Sequence, residues 1–335
     1  MRRFAFRFRA IVAATAAVTR VLLRRPLRGP AQPTWTWSEE LFVAASRAAL
    51  STSGWDIELM SPRRRGLKPP IGRRTGSALT VETVELGGIQ AERYCPRARP
   101  FGTILRFHGG GFVTGSARME RRVAAELAVF SNCDTFGITY RLAPKHPYPA
   151  ALDDAIAAYR ALLRREADPA TTIFFGGSAG AGLALTALLK IRELQLPQPA
   201  GAVLLWPYAD FTFSGETIQT NGDVDMLPLR DLAPVWGPAY VGDADPGDPL
   251  VSPALADLDG LPPLLIIAGG AEALLSCAER IADNARTAGV ATQFTVYPHK
   301  VHGWMMLPKL PATLEAVDEI TRWIAAILKP QSRST

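Results

Sequence analysis

Short, nearly continuous apolar runs separated by helix-length amphipathic stretches occupy the chain from residue 103 onward, and no other feature of the sequence narrows the fold as far. The runs are Thr103–Phe107, Thr135–Tyr140, Thr172–Gly176, Gly201–Trp206, Leu264–Ala268 and Thr292–Tyr297. A strand with one wet face alternates apolar and polar residues; these runs offer no polar face, so each must be covered on both sides. The stretches Arg118–Phe130, Ala150–Arg165, Ala179–Leu194, Ser276–Ala288 and Leu314–Leu328 have the spacing of covering helices. The alternation predicts an α/β fold, with a mostly parallel central sheet flanked by helices. Val81–Tyr94 reads as an antiparallel hairpin or strand pair ahead of that sheet. A chain of 335 residues, 48% hydrophobic and 20% charged, has the material for one large core.

Two regions break the rhythm: Trp35–Met60, and Pro207–Leu250, which is rich in Pro, Gly, Asp and aromatic residues. Loops of this length carry function or form lids, so both are read as cap elements over the carboxyl edge of the sheet. The expected organisation is a basic N-terminal extension and cap element over residues 1–75, then the main α/β domain over 76–330 with a further cap or loop insertion at about 207–250.

The net charge of +6 is concentrated at the start of the chain. Residues 1–30 hold eight arginines and no acid, residues 31–74 add +3, and 75–335 carry −5. A mildly acidic main domain gives no expectation of a nucleic-acid groove. In Met1–Pro30, Arg2, Arg3, Arg7 and Arg9 alternate with Phe4, Phe6 and Phe8 before the run Ala10–Val18. Three readings stand open: a signal peptide, although no small-x-small cleavage site precedes a polar start; a helix lying on an anionic membrane surface; and, as the default, a solvated or docked extension. A cytoplasmic location is expected, with membrane-surface association and export as the alternatives. No uncharged apolar run reaches the roughly 20 residues of a membrane span. Pro62–Arg74, basic and proline-rich, reads as a linker. Cys95, Cys133 and Cys277 are odd in number and form no C-x-x-C pair, so they are expected to be reduced thiols, with no disulfide framework or zinc site.

Chemistry enters with Gly176-Gly177-Ser178-Ala179-Gly180, which ends an apolar strand and opens a helix. In that context G-x-S-x-G is a nucleophile elbow: a sharp turn lifts the serine hydroxyl out of the sheet, above a helix N-terminus that favours negative charge. His108-Gly109-Gly110-Gly111-Phe112 follows the first parallel strand, and its glycines present backbone N–H groups unobstructed by side chains, as an oxyanion hole requires. A phosphate loop is the competing reading, but no G-K-[ST] follows. The chain has only four histidines. His108 opens the glycine loop and His146 precedes the serine, whereas the expected order is serine, acid, histidine. His302 is therefore the candidate base, with His299 the alternative. Glu272 is the carboxylate immediately after the strand Leu264–Ala268 and the candidate acid; Asp248 and Asp210 are rivals, each also readable as a turn residue.

On these motifs the sequence resembles the hormone-sensitive-lipase-like family of α/β-hydrolases, which includes bacterial esterases and the arylacetamide deacetylases. The likeness spans roughly Leu79–Leu328. It is carried by His108–Phe112, Tyr140–Pro149 with Asp153 and Asp154, Gly176–Gly180, Asp248–Pro253, Leu261–Pro263 and His302-Gly303. The resemblance implies an α/β-hydrolase fold with an N-terminal helical cap, and oxyanion donors at the N–H groups of Gly110, Gly111 and Ala179. Homodimers through an edge strand occur in the family. Two positions depart from its common pattern: Gly177, where Asp or Thr is usual, and Glu272, where Asp is usual.

The expected reaction is hydrolysis of uncharged short- to medium-chain esters by Ser178, His302 and Glu272 through an acyl-enzyme, with no metal or cofactor. An amidase or deacetylase on the same site, or a non-catalytic ligand-binding member of the fold, are the alternatives. Phe112, Trp35, Tyr208 and Trp304 are candidate pocket walls, against the plainer reading that each is core.

Overall fold

The computed structural model describes residues 2–53, 56–57 and 69–329. Eight strands form one sheet: β1 (Leu79–Leu86), β2 (Ile89–Pro96), β3 (Thr103–Phe107), β4 (Asp134–Ile138), β5 (Thr172–Gly177), β6 (Gly201–Leu205), β7 (Leu264–Gly269) and β8 (Thr292–Tyr297). Their spatial order is β1-β2-β4-β3-β5-β6-β7-β8. β1 and β2 are a hairpin, and β2 runs antiparallel to β4. From β4 to β8 every pairing is parallel.

The helices that follow are α1 (Arg2–Arg28), α2 (Trp37–Ser53), α3 (Arg121–Ser131), α4 (Ala150–Arg164), α5 (Ala179–Glu193), α6 (Leu229–Val241), α7 (Leu275–Thr287) and α8 (Pro311–Leu328). The unbroken apolar strands are explained by where alternate residues go. Phe174, Leu204 and Ile266 point into a core shared with α4, α5 and α7. Their neighbours Ile173, Phe175, Val203, Leu205, Leu265 and Ile267 point the other way, toward Leu127 of α3 and Ala316, Ile320 and Ile324 of α8. Both faces of the sheet are thus buried.

Element ends shift from the sequence reading by a few residues. β4 stops at Ile138, not at Tyr140, whose hydroxyl donates to the His108 carbonyl at 2.7 Å. The short helix Arg73–Ser77 lies at the end of the stretch read as a linker; Pro62–Lys68 fall outside the described residues. Within Trp35–Met60, residues 37–53 form α2.

The insertion at 207–250 is packed more tightly than a lid. Tyr208, Phe211, Leu227, Leu229, Leu232, Trp236 and Tyr240 all belong to the main core. α1 packs on α2, where Arg24 and Arg25 both reach Glu40. α2 and the segment before it are tied in turn to the loop after β8. Trp35 Nε1 donates to the His299 carbonyl at 2.6 Å, and Lys300 Nζ pairs with Glu39 at 2.5 Å in a buried setting. Among the described residues no helix is long and apolar enough to cross a membrane.

Candidate active site

Ser178 sits between β5 and α5 with φ 56° and ψ −122°, a conformation that a side-chain-bearing residue adopts only when its surroundings enforce it. Enforcement comes from close packing. A Cβ on Gly180 would stand 2.2 Å from the Phe107 carbonyl oxygen, so only glycine lets α5 approach β3 this closely. Ser178 N–H donates to the Leu205 carbonyl at 2.9 Å, fixing the turn against β6.

The loops after β7 and β8 bring two further groups to this turn. His302 Nε2 lies 3.0 Å from Ser178 Oγ, and His302 Nδ1 lies 3.2 Å from Glu272 Oε2. Glu272 is wholly buried and its other oxygen accepts from Gly269 N–H at 3.0 Å. His299, the alternative base, instead faces Gln32. Asp210 is occupied by Thr212, Ser214 and Arg280, and Asp248 caps the turn at Leu250. His302 is buried, with 6% of its surface exposed.

Burial works against charge on each member. It pushes the Glu272 carboxyl up to about 8, opposed only by the Gly269 N–H. It pulls the His302 imidazole below its ordinary value, opposed by the charge of Asp225. The two groups share a hydrogen bond and titrate as a pair, so the proton that separates the charged from the neutral couple belongs to both. The direction for that couple is upward, because a carboxyl removed from water holds a proton strongly.

Asp225, in the insertion, escaped the sequence reading. It is completely buried, and its two carboxylate oxygens accept from the backbone N–H groups of His302 and Ala273, each at 2.8 Å. It therefore straps the loop that carries His302 to the loop that carries Glu272. Burial raises its carboxyl to about 6, partly offset by His302 and reinforced by Glu272. Arg47 of α2 donates at 2.7 Å to the carbonyls of Gly222 and Asp225, which fixes the strap from the N-terminal side. No motif marks Asp225; its partners stand 77 and 48 residues away in the chain.

The glycine loop closes the other side of the site. A Cβ on Gly111, at φ +62°, would lie 2.4 Å from the Trp236 ring, so the loop is shaped by α6. Phe112 stacks on Tyr240 of the same helix at 3.9 Å. Among the described residues, no protein acceptor takes the N–H groups of Gly110, Gly111 or Ala179. Gly109 N–H is held by Glu120 Oε1 at 3.0 Å, and Glu120 pairs with Arg106 at 2.6 Å. Burial pushes the Glu120 carboxyl up, but Arg106 and His108 outweigh it and leave the group below its ordinary value. Glu120 is a second residue without a sequence signal, acting from behind the loop.

The candidate pocket walls have distinct settings. Trp35 packs with Val43, Ala271 and Val301 beside the base loop. Tyr208 is buried against Phe211. Trp304 is buried between Trp206 and Tyr297. Trp206 also sits edge-on to His302 at 6.2 Å. A Cβ on Gly177 would meet the Trp206 indole at 3.4 Å, an ordinary contact, so the missing side chain there is not a steric necessity.

Known proteins resemble this chain over most of its length. Residues 104–306 match a family model described as an alpha/beta hydrolase fold. An acetyl-hydrolase of Streptomyces hygroscopicus is 36% identical over 242 residues, 71% of this chain and 80% of that protein. An esterase of Acinetobacter venetianus is 32% identical over 249 residues, 74% and 82% of the two chains. A solved hormone-sensitive lipase from a metagenome library superposes with a TM-score of 0.74 at 37% identity, covering 77% of this chain and 86% of its own. An esterase from the bacterial hormone-sensitive lipase family reaches 0.73 at 31% identity, over 94% and 98%. The chain belongs to the α/β-hydrolase fold family, in its hormone-sensitive-lipase-like branch.

Proposed function

We propose that the protein is a serine carboxylester hydrolase in which Ser178 is the nucleophile, His302 the general base and Glu272 the acid that orients it. The observation that carries the reading is the continuous hydrogen-bonded line from Ser178 Oγ through both nitrogens of His302 to Glu272, at 3.0 and 3.2 Å. His302 Nε2 takes the hydroxyl proton as Ser178 Oγ attacks the ester carbonyl. Glu272, as carboxylate, accepts from Nδ1–H and stabilises the imidazolium. The oxyanion is held by the N–H groups of Gly110, Gly111 and Ala179, aimed at the site before the substrate arrives. Collapse expels the alcohol, protonated by His302. Water then enters through the same base, releases the carboxylic acid and restores Ser178. The relative named acetyl-hydrolase supports a short acyl chain, and the relative named esterase supports ester cleavage.

An organophosphonate probe and p-nitrophenyl esters of graded acyl length test this reading. A single adduct at Ser178 is expected, together with loss of turnover in Ser178→Ala on the order of 10³-fold or more. An unlabelled Ser178, or unchanged turnover in the mutant, would rule the mechanism out. A matched series of anilides separates ester from amide cleavage.

A further inference from the structure

Helix α1 is amphipathic in the opposite sense from a helix that serves only to pack on its own protein. From residue 8 onward its half-buried and buried face is made of small residues: Ala10, Ala13, Ala14 and Ala17, with Val18 and Val21. The large apolar side chains face outward. Phe8 is 58% exposed, Ile11 64%, Val12 50%, Leu22 49%, Leu23 70% and Leu27 86%. At helical spacing these six fall within one arc of about 160°. Arg9 and Arg20 are exposed at one edge of this arc and Arg28 is exposed at the helix end, and the helix contains no acidic residue. Arg24 and Arg25 are committed to Glu40 and hold α1 to α2.

We propose that α1 is an interfacial anchor that lays this outward face into the headgroup region of an anionic phospholipid bilayer, with Arg9, Arg20 and Arg28 at the lipid phosphates. Charge selects the occupant. A second copy of the chain would bring two arginine-lined helices together with no carboxylate between them, whereas an anionic surface satisfies the apolar face and the cations at once. Since no described helix can span a bilayer, the helix lies in the plane of the interface. A consequence concerns the reaction and rests on the ester-hydrolase reading. α1 is tied through Glu40 to α2, and Glu39 and Trp35 reach Lys300 and His299, just before His302. An anchored α1 therefore holds the base loop near the surface, where esters partitioned into lipid are met.

The test is co-sedimentation of the full chain with vesicles of phosphatidylcholine alone and of phosphatidylcholine mixed with phosphatidylglycerol. Binding to the anionic vesicles should be on the order of tenfold stronger or more, and should weaken as salt is raised. Ile11→Glu/Leu23→Glu should abolish it, and Arg9→Gln/Arg20→Gln/Arg28→Gln should remove the preference for anionic lipid. Both variants should keep the wild-type circular dichroism and melting temperature, because the altered side chains are exposed. Equal binding to the two vesicle types, or binding unaffected by the paired Glu substitutions, would overturn the anchor. So would a solution dimer that Leu23→Glu dissociates, which would assign the face to a second copy, or secretion of a chain cleaved after α1, which would make the helix an export signal. Vesicle binding does not read turnover, so its failure is separate from failure of the ester-hydrolase reading.

Discussion

The proposed triad turns on one proton. With Glu272 raised to about 8 by burial, the Glu272–His302 couple must release a proton before Nε2 can accept one from Ser178. We therefore expect kcat/KM to rise with pH and to reach half its plateau above the roughly 6.5 of an unperturbed imidazole. Glu272→Gln should lower kcat on the order of 10³ to 10⁴-fold, because the amide donates to Nδ1 and leaves the ring proton on the nitrogen facing Ser178. The same substitution has a stability signature. Glu272 is raised from 4.5 to about 8, so the native state binds more protons than the unfolded chain across that window, and wild-type stability falls as pH rises through it. Melting temperatures of wild type and Glu272→Gln should shift in the variant's favour from pH 5 to pH 8; a constant difference would contradict the burial argument. Sequence order and motif context were enough to nominate Ser178, His302 and Glu272. Asp225 and Glu120 were not legible: Asp225 accepts backbone N–H groups 77 and 48 residues away and Glu120 accepts the Gly109 N–H from outside the glycine motif, and no local pattern records either.

At the scale of elements, the strand–turn–helix unit β5–α5 does what its glycines permit. Gly180→Ala would drive a methyl group into the Phe107 carbonyl, 2.2 Å away, with no flexible atom to yield. A loss of about 3 kcal/mol is expected in urea denaturation, and wild-type stability would show that α5 can slide instead. The parallel strands were legible because burial on two faces leaves a one-dimensional trace: a run with no polar positions. Their ends were not: the run Thr135–Tyr140 shows no change of composition where β4 stops at Ile138. α1 and α2 were harder still. In α1 the large residues face outward, so its apolar pattern does not point to the core, and in α2 the contacts that matter are single polar side chains such as Arg47 and Glu39.

Across the whole molecule, the N-terminal helices and the catalytic sheet are joined by few but buried links. Lys300 and Glu39 are 8% and 4% exposed and pair with each other. Lys300→Met should cost about 3 to 5 kcal/mol by stranding the Glu39 charge, while adding Glu39→Met should recover most of it. Equal losses in the single and double variants would mean that the pair is not a unit. This coupling could not be read from composition, which shows a basic tail and an acidic body but not which charges meet.

The proposed triad also has a schedule. Ser178 and His302 are 124 residues apart, and the base arrives on the last strand loop before the closing helix. At about 5–20 residues per second, a ribosome needs roughly 6–25 s to make the intervening chain. Throughout that interval the nascent polypeptide carries the elbow and the glycine loop but no partner for the serine, so it is chemically silent toward esters around it. In the proposed mechanism reactivity waits for the loop after β8, by which point every strand of the sheet that carries the site has been made.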